Sequence, residues 1–239
     1  MNRYILSPHE QGSDGWLLDR CGRVTGSRAA DMLAMTAKKE WSAKRADYKF
    51  ELAIEVLTGM PAAIEYVSKE MQWGIDQEPF ARMAYEEKSG NVAIESGFMY
   101  LPDLDAGCSV DGLFVEDGRT GVLEAKCPKS TTHIRYLEAG TVPDQYRPQC
   151  LHNVWVTGAE FADFVSFDPR FPEDLQLFVC RYTPTAAELA DHERAVLQFL
   201  AERDELVAQI KRLYEVLGGE VDISVKPAVE KQQTLGLDQ

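Results

Sequence analysis

Residues 108–128 read C-S-V-D-G-L-F-V-E-D-G-R-T-G-V-L-E-A-K-C-P, and this stretch decides the fold. The stretch reads as a hairpin, with Asp111 before it and Glu124-Ala125-Lys126 just after it. In a strand over Gly121–Cys127, side chains two apart share a face, so Glu124 and Lys126 point the same way. The hairpin brings Asp111 beside them. An acid, a gap and E-x-K recur on many solvated strands, but here the acid lies in V-L-E-A-K-C-P. A strand buried on both faces does not carry charge without cause. Two carboxylates and an ammonium at one strand edge suit metal-assisted phosphodiester hydrolysis: hard oxygen ligands for Mg²⁺ and a cation near the attacked phosphate.

Composition sets the bounds. The 239 residues are 45% apolar and 27% charged, which suits a soluble globular chain with a sizeable core. No run of eighteen apolar residues and no basic-then-apolar start occurs, so neither a membrane span nor a leader is indicated, and a cytosolic setting is expected. Five scattered cysteines, without C-x-x-C, argue against disulfides, zinc and iron–sulfur clusters. The net charge of −14 disfavours DNA contact over most of the surface. Residues 1–60, however, hold nine Lys or Arg against eight Asp or Glu. Within them, residues 36–50 carry five cations against two anions, interleaved with Trp41 and Tyr48. Lys38, Lys39, Lys44 and Arg45 are therefore candidate DNA contacts; a solvated basic helix face reads the same segment nearly as well.

Outward from the hairpin, the chain alternates helical and strand patterns. Ser13 or Asp14 caps a short helix, and Ser27 is expected to cap a second after the tight loop 22–26. Helices are expected over 43–57 and 69–88, the latter broken or kinked by Pro79 next to Glu78. Strands are expected over 92–101, 107–115, 121–127, 161–167 and 175–182, with a helix over 144–156 between the third and fourth. A final helix starts at Pro184, and the polar residues 218–239 read as a mobile tail. The result is one α/β domain over 1–217 with a central mixed β-sheet flanked by α-helices.

Four blocks in order carry a family resemblance: W-L-L-D-R-C-G-R-V-T-G-S (16–27), W-G-I-D-Q-E-P-F-A-R (73–82), C-S-V-D-G-L with L-E-A-K-C-P, and Q-Y-R-P-Q-C-L-H-N-V-W-V-T-G (145–158). The chain resembles the lambda-exonuclease type of phage recombination nuclease, the YqaJ-like group within the PD-(D/E)-x-K superfamily. That resemblance implies a restriction-endonuclease-like core. It makes Asp111, Glu124 and the Ala125 carbonyl the metal ligands and Lys126 the lysine that positions the attacking water. Glu78 takes the place of a supporting acid, though a helix-end carboxylate is its plainer reading. Gln149 takes the place of the active-site glutamine, while Leu151 departs from a polar position two residues later.

By the same resemblance Arg20, Ser27 and Ser109 form a pocket for a 5′-terminal phosphate. A helix cap is the plainer reading of Ser27, and a surface charge that of Arg20. A family arginine after K-C-P falls on Thr132, with His133 and Arg135 as neighbours able to stand in. The implied activity is a Mg²⁺-dependent (or Mn²⁺-dependent) 5′-to-3′ exonuclease with two ions per site. It acts on linear double-stranded DNA with a 5′ phosphate and leaves a 3′ strand for recombination. The implied partners are two further copies in a ring-shaped homotrimer and a single-strand annealing protein, in the cytosol of a bacterial host. A structure-specific or restriction-type endonuclease shares the site pattern, as would an inactive DNA-binding module.

Overall fold

The computed structural model describes residues 3–62 and 68–216; the stretch 218–239 read as a tail lies outside the described residues. The chain begins with β1 (Ile5–Leu6), α1 (Asp14–Arg20), β2 (Val24–Thr25), a 3₁₀ turn (Gly26–Arg28), α2 (Ala29–Met32), α3 (Ala43–Thr58) and α4 (Lys69–Ser89). Four strands follow: β3 (Met99–Tyr100), β4 (Ala106–Cys108), β5 (Gly112–Glu116) and β6 (Arg119–Lys126). The remainder is α5 (Ser130–Ala139), α6 (Arg147–Thr157), β7 (Phe161–Phe167), α7 (Glu173–Gln176), β8 (Leu177–Tyr182) and α8 (Ala186–Val216).

Local chemistry explains the main boundaries. Ser13, Ser42 and Ser68 accept the amides of Trp16, Arg45 and Met71, capping α1, α3 and α4. Thr185 and Glu188 exchange side-chain and backbone bonds at the start of α8, a reciprocal cap. Asp117 and Gly118 both have positive φ, 50° and 78°, which is the two-residue hairpin turn expected between β5 and β6. Of the break or kink expected at Pro79, the break does not occur: α4 runs through it. The proline is exposed, and so is Ile75, whose carbonyl it leaves without an amide, so water can take that bond. Ser27 does not cap a helix either: it lies inside the 3₁₀ turn, and no side chain caps α2.

The single central sheet expected from the sequence is two four-stranded sheets, ordered β1-β3-β4-β2 and β5-β6-β7-β8. The run 107–115 divides between them at Ser109–Asp111. The run 92–101 supplies only Met99–Tyr100 and a lone bridge from Ile94 to Leu113. In the second sheet β6 runs parallel to β7 and antiparallel to β5, with β8 antiparallel to β7. Helices α5 and α6 make the crossover between the parallel pair.

Alternation along β6 and β7 sends side chains to two cores. Val122, Ala162 and Phe164 face a core with Cys150, Val154 and Trp155 of α6 and with Val196 and Phe199 of α8. Leu123, Ala125, Phe161 and Val165 face Ala81 and Tyr85 of α4. Glu124 and Lys126 belong to the α6 side. Across α3 and α8, Tyr48 stacks on Phe199 with centroids 5.5 Å apart. Arg45 is buried there, bonded to both carboxylate oxygens of Glu202 at 2.6 and 3.0 Å, with its guanidinium 4.0 Å from the Trp41 ring. The cation read as a DNA contact is thus a packing element, leaving Lys38, Lys39 and Lys44 exposed in that segment. Among the described residues no helix is long and apolar enough to cross a membrane.

Two substitutions test these cores by urea unfolding. Phe164→Ala should cost about 3–5 kcal/mol, because it empties the centre of the α6-side core. Glu202→Ala strands the Arg45 guanidinium and should cost about 1.5–3 kcal/mol. An unchanged midpoint for Glu202→Ala would show that Arg45 does not depend on it.

Candidate active site

Strand β5 pairs with β6 from Glu116 back to Gly112 and then stops. Asp111 donates its amide to the Leu123 carbonyl at 3.2 Å. Its carboxylate Oδ2 then accepts the Ala125 amide at 2.6 Å, replacing the backbone acceptor that the strand would have offered. Amide and carbonyl of one strand residue project to the same side. The Ala125 carbonyl therefore emerges at this edge, where no ladder partner among the described residues takes it.

One residue on each side, Glu124 and Lys126 project from the α6 face. Glu124 is 1% exposed. Its Oε1 receives the Lys126 ammonium, and its Oε2 accepts Asn153 Nδ2 at 2.8 Å. Lys126 Nζ also lies 5.5 Å from the centre of the Tyr146 ring. From α4, Arg82 donates to the Asp111 carbonyl at 3.4 Å and to Glu95 at 2.9 Å. Glu78, one helical turn earlier, shares the electrostatic field of Asp111 and Lys126.

The electrostatics follow from burial. Loss of water pushes the Glu124 carboxyl up to about 7, with the Lys126 charge opposing and Asp111 reinforcing. Burial and then the Asp111 charge push Glu78 up to about 7 as well. Asp111 rises for the same first reason, resisted by Lys126 and the Ala125 amide. Burial works against the Lys126 ammonium, yet Glu124 and Asp111 hold its pKa above the ordinary value. Three acids thus share one ammonium and a more distant guanidinium. Among the described residues no three His, Cys, Asp or Glu side chains form a ready metal cluster. The donor set on offer is two carboxylates and the free Ala125 carbonyl, hard oxygens that suit Mg²⁺ or Mn²⁺.

The other expected residues fall at the neighbouring strand ends. The parallel register pairs Val24 with Ala106 and Thr25 with Gly107. Two residues on, it carries Ser27 and Ser109 to the same end of β2 and β4. Ser109 Oγ accepts the Trp16 indole N–H at 3.2 Å. The Arg20 guanidinium lies 4.1 Å from the Trp16 ring and has no ion-pair partner among the described residues. Burial lowers its pKa. A half-buried guanidinium with no direct ion pair, and only Glu55 acting on it through space, leaves its donors open to an anion. Ser27 is exposed in its turn.

Gln149 stands one turn before Asn153 on α6, on the helix face that meets Glu124. Leu151 packs against the core, which accounts for its apolar character. His133 cannot stand in for an arginine. It is buried, with its ring nitrogens at 2.7 Å from Ser166 Oγ and 2.8 Å from the Leu175 carbonyl. Arg135 is exposed on α5. Trp16, Arg82, Tyr146 and Asn153 were missed by the sequence reading. Three of these lie four residues from a residue already singled out on the same helix: Trp16 from Arg20, Arg82 from Glu78, and Asn153 from Gln149.

Residues 15–160 match the YqaJ-like viral recombinase domain. A crystal structure of LHK-Exo in complex with dAMP is 34% identical, with a TM-score of 0.77 over 86% of this chain and 100% of that one. A second structure of the same protein, described as an alkaline exonuclease from Laribacter hongkongensis, is 34% identical with a TM-score of 0.76 over the same shares of the two chains. A phage-related exonuclease from Haemophilus somnus 129PT, 15% identical over 79% of this chain and 96% of that one, shares the fold at a TM-score of 0.58. No curated protein matches the chain. The fold is the restriction-endonuclease-like one of the alkaline exonuclease. With the domain match spanning residues 15–160 and a 34%-identical relative covered along its whole length, this chain belongs to the YqaJ-like viral recombinase family.

Proposed function

We propose that the protein is a Mg²⁺-dependent exonuclease that digests the 5′-ended strand of linear double-stranded DNA. It releases mononucleotides and leaves a 3′ single strand for recombination. One observation carries this reading: Asp111, Glu124 and Lys126 meet at the strand edge where the Ala125 carbonyl is also free. The relative crystallised with dAMP supports it, since a 5′-mononucleotide is what such a cut releases.

Asp111, Glu124 and the Ala125 carbonyl would hold two divalent cations, Mg²⁺ or Mn²⁺, which supply an activated hydroxide and neutralise charge on the scissile phosphate. Lys126 would orient the attacking water and offset negative charge as it develops. Glu78 would accept a proton from that water, for which a carboxyl pushed up to about 7 is suited at neutral pH. Gln149 would position the phosphate from α6. Arg20, Ser27 and Ser109 would hold the terminal 5′ phosphate, the only charged group remade at a fixed place by each cut. Lys38, Lys39 and Lys44 would line the bore of a homotrimeric ring, and a single-strand annealing protein would receive the new strand.

Digestion of end-labelled linear duplex, with and without a 5′ phosphate and beside a covalently closed circle, tests this reading. Mononucleotides should come from the linear substrates and nothing from the circle. Cutting of the circle would replace the exonuclease with a structure-specific endonuclease of the same chemistry. Alanine at Asp111, Glu124 or Lys126 should lower turnover by about a thousandfold or more, far beyond any loss of folded protein read by urea unfolding.

Arg20→Ala should slow initiation on phosphorylated ends by roughly ten- to a hundredfold, as one charge-assisted contact is lost. Equal rates on phosphorylated and hydroxyl ends, unaffected by Arg20→Ala, would remove the phosphate pocket.

The pH dependence has a definite sign. Cation binding must displace the proton from Glu124, held at about 7. Calorimetric Mg²⁺ affinity should therefore be full above pH 8 and fall below pH 7, by up to about tenfold per pH unit for each proton displaced. An affinity flat from pH 8 to 6 would contradict the assignment of Glu124.

A further inference from the structure

Asn153 is completely buried on α6, and its amide does not serve its own helix. Nδ2 donates to Glu124 Oε2 at 2.8 Å, while Oδ1 has no partner among the described residues. Gly26, in the 3₁₀ turn that carries Ser27, lies directly against that oxygen; a Cβ at Gly26 would overlap it. A buried unpartnered oxygen is a standing cost that an apolar side chain of the same shape would avoid. The amide therefore makes sense only through its other end. With Lys126 on Oε1 and Asn153 on Oε2, both oxygens of Glu124 are fixed, so the carboxylate has one orientation.

We propose that Asn153 is a positioning residue for Glu124, and that Gly26 lacks a side chain so that this amide can reach it. The arrangement ties the turn bearing Ser27 to the carboxylate at the β6 edge. Outer-shell partners that hold a ligating carboxylate are worth roughly ten- to a hundredfold in metal affinity or activity. The inference rests on reading Glu124 as a metal ligand, so the experiment carries a control for that reading.

The experiment titrates Mn²⁺ by calorimetry into the full-length protein without DNA, as wild type, Asn153→Leu, Gly26→Ala, the double variant and Glu124→Gln. Urea unfolding and steady-state kinetics on linear duplex accompany each titration. Asn153→Leu keeps the volume and removes the donor. Gly26→Ala leaves Asn153 in place and displaces its amide, and so gives a second route if the first variant is unstable.

Either variant should weaken Mn²⁺ roughly ten- to a hundredfold and lower kcat in proportion, while KM for DNA ends stays within about twofold. The double variant should be no worse than Asn153→Leu alone, because both act through one hydrogen bond. Wild-type Mn²⁺ affinity in both single variants, against a loss in Glu124→Gln, would overturn the inference and leave the nuclease reading standing. A lowered unfolding midpoint with unchanged Mn²⁺ affinity would make Asn153 structural and overturn it equally. Wild-type affinity in Glu124→Gln would instead sink the reading of Glu124 as a ligand, and the inference with it.

Discussion

Ala125 donates its amide to a side chain rather than to a strand, and much of the architecture turns on that bond. Residue 125 lies in the middle of a buried sheet, where an amide without an acceptor costs about 1–3 kcal/mol. If β5 continued beyond Gly112 it would supply a carbonyl, but its chain would then stay in the sheet. Asp111 supplies the acceptor from its carboxylate at 2.6 Å, and the backbone is released to cross into the other sheet as β4. The same carboxylate thus ends one strand, satisfies the next and stands at the functional edge. The departure of β5 also frees the Ala125 carbonyl. Divided sheets and a cluster of oxygen donors are two consequences of one substitution of side chain for backbone.

The cost of the site is electrostatic. Burial resists ionisation of Asp111, Glu124 and Glu78 alike, and among the described residues Lys126 is the ammonium shared by them. An apolar core would be more stable at these positions. The surroundings show how the charges are tolerated. Asn153 and Lys126 take the two oxygens of Glu124, the Ala125 amide takes Asp111, and Arg82 braces the Asp111 carbonyl. The three acids come from different parts of the chain, Glu78 from α4, Asp111 from the link before β5 and Glu124 from β6, so these must be assembled before the carboxylates converge. On the proposed reading the excess negative charge is what draws the divalent cation, and the donor geometry is fixed before the cation arrives.

The sequence made the hairpin, the buried acids and the helix between the third and fourth strands legible, because each depends on local pattern: period two in the strands, helical spacing along α8, and short apolar runs set apart from helical ones. It hid what depends on distant register. The run 107–115 is continuous in hydrophobicity, and nothing in it marks the point at which Asp111 leaves one sheet for another. Helix α5 begins S-T-T-H-I, a β-branched stretch of low helix propensity, and was not expected from the sequence. Pro79 does not end α4 because it lies on an exposed face, where water can take the carbonyl bond it leaves open. Asn153 was within the quoted block, yet its role is visible only once Gly26, 127 residues earlier, is placed against it. The i,i+4 relation to Gln149 was the available signal, as it was for Trp16 beside Arg20 and Arg82 beside Glu78.

Charge must likewise be counted after pairing. Residues 36–50 look like a basic stripe, but Arg45 and Lys49 are both bonded to Glu202 across the α3–α8 packing. What faces solvent is Lys38, Lys39 and Lys44. For a protein of net charge −14 that is a small supply of cations against duplex DNA, where specific complexes commonly neutralise roughly 6–10 phosphates. In one copy this segment alone supplies fewer cations than that. Three copies around one duplex would bring about nine lysines to the bore while the acidic remainder faced outward, repelling DNA from every surface but the one that leads to Asp111 and Glu124. On this reading the acidic surface is part of the mechanism, since it restricts productive contact to strands that enter the ring from an end.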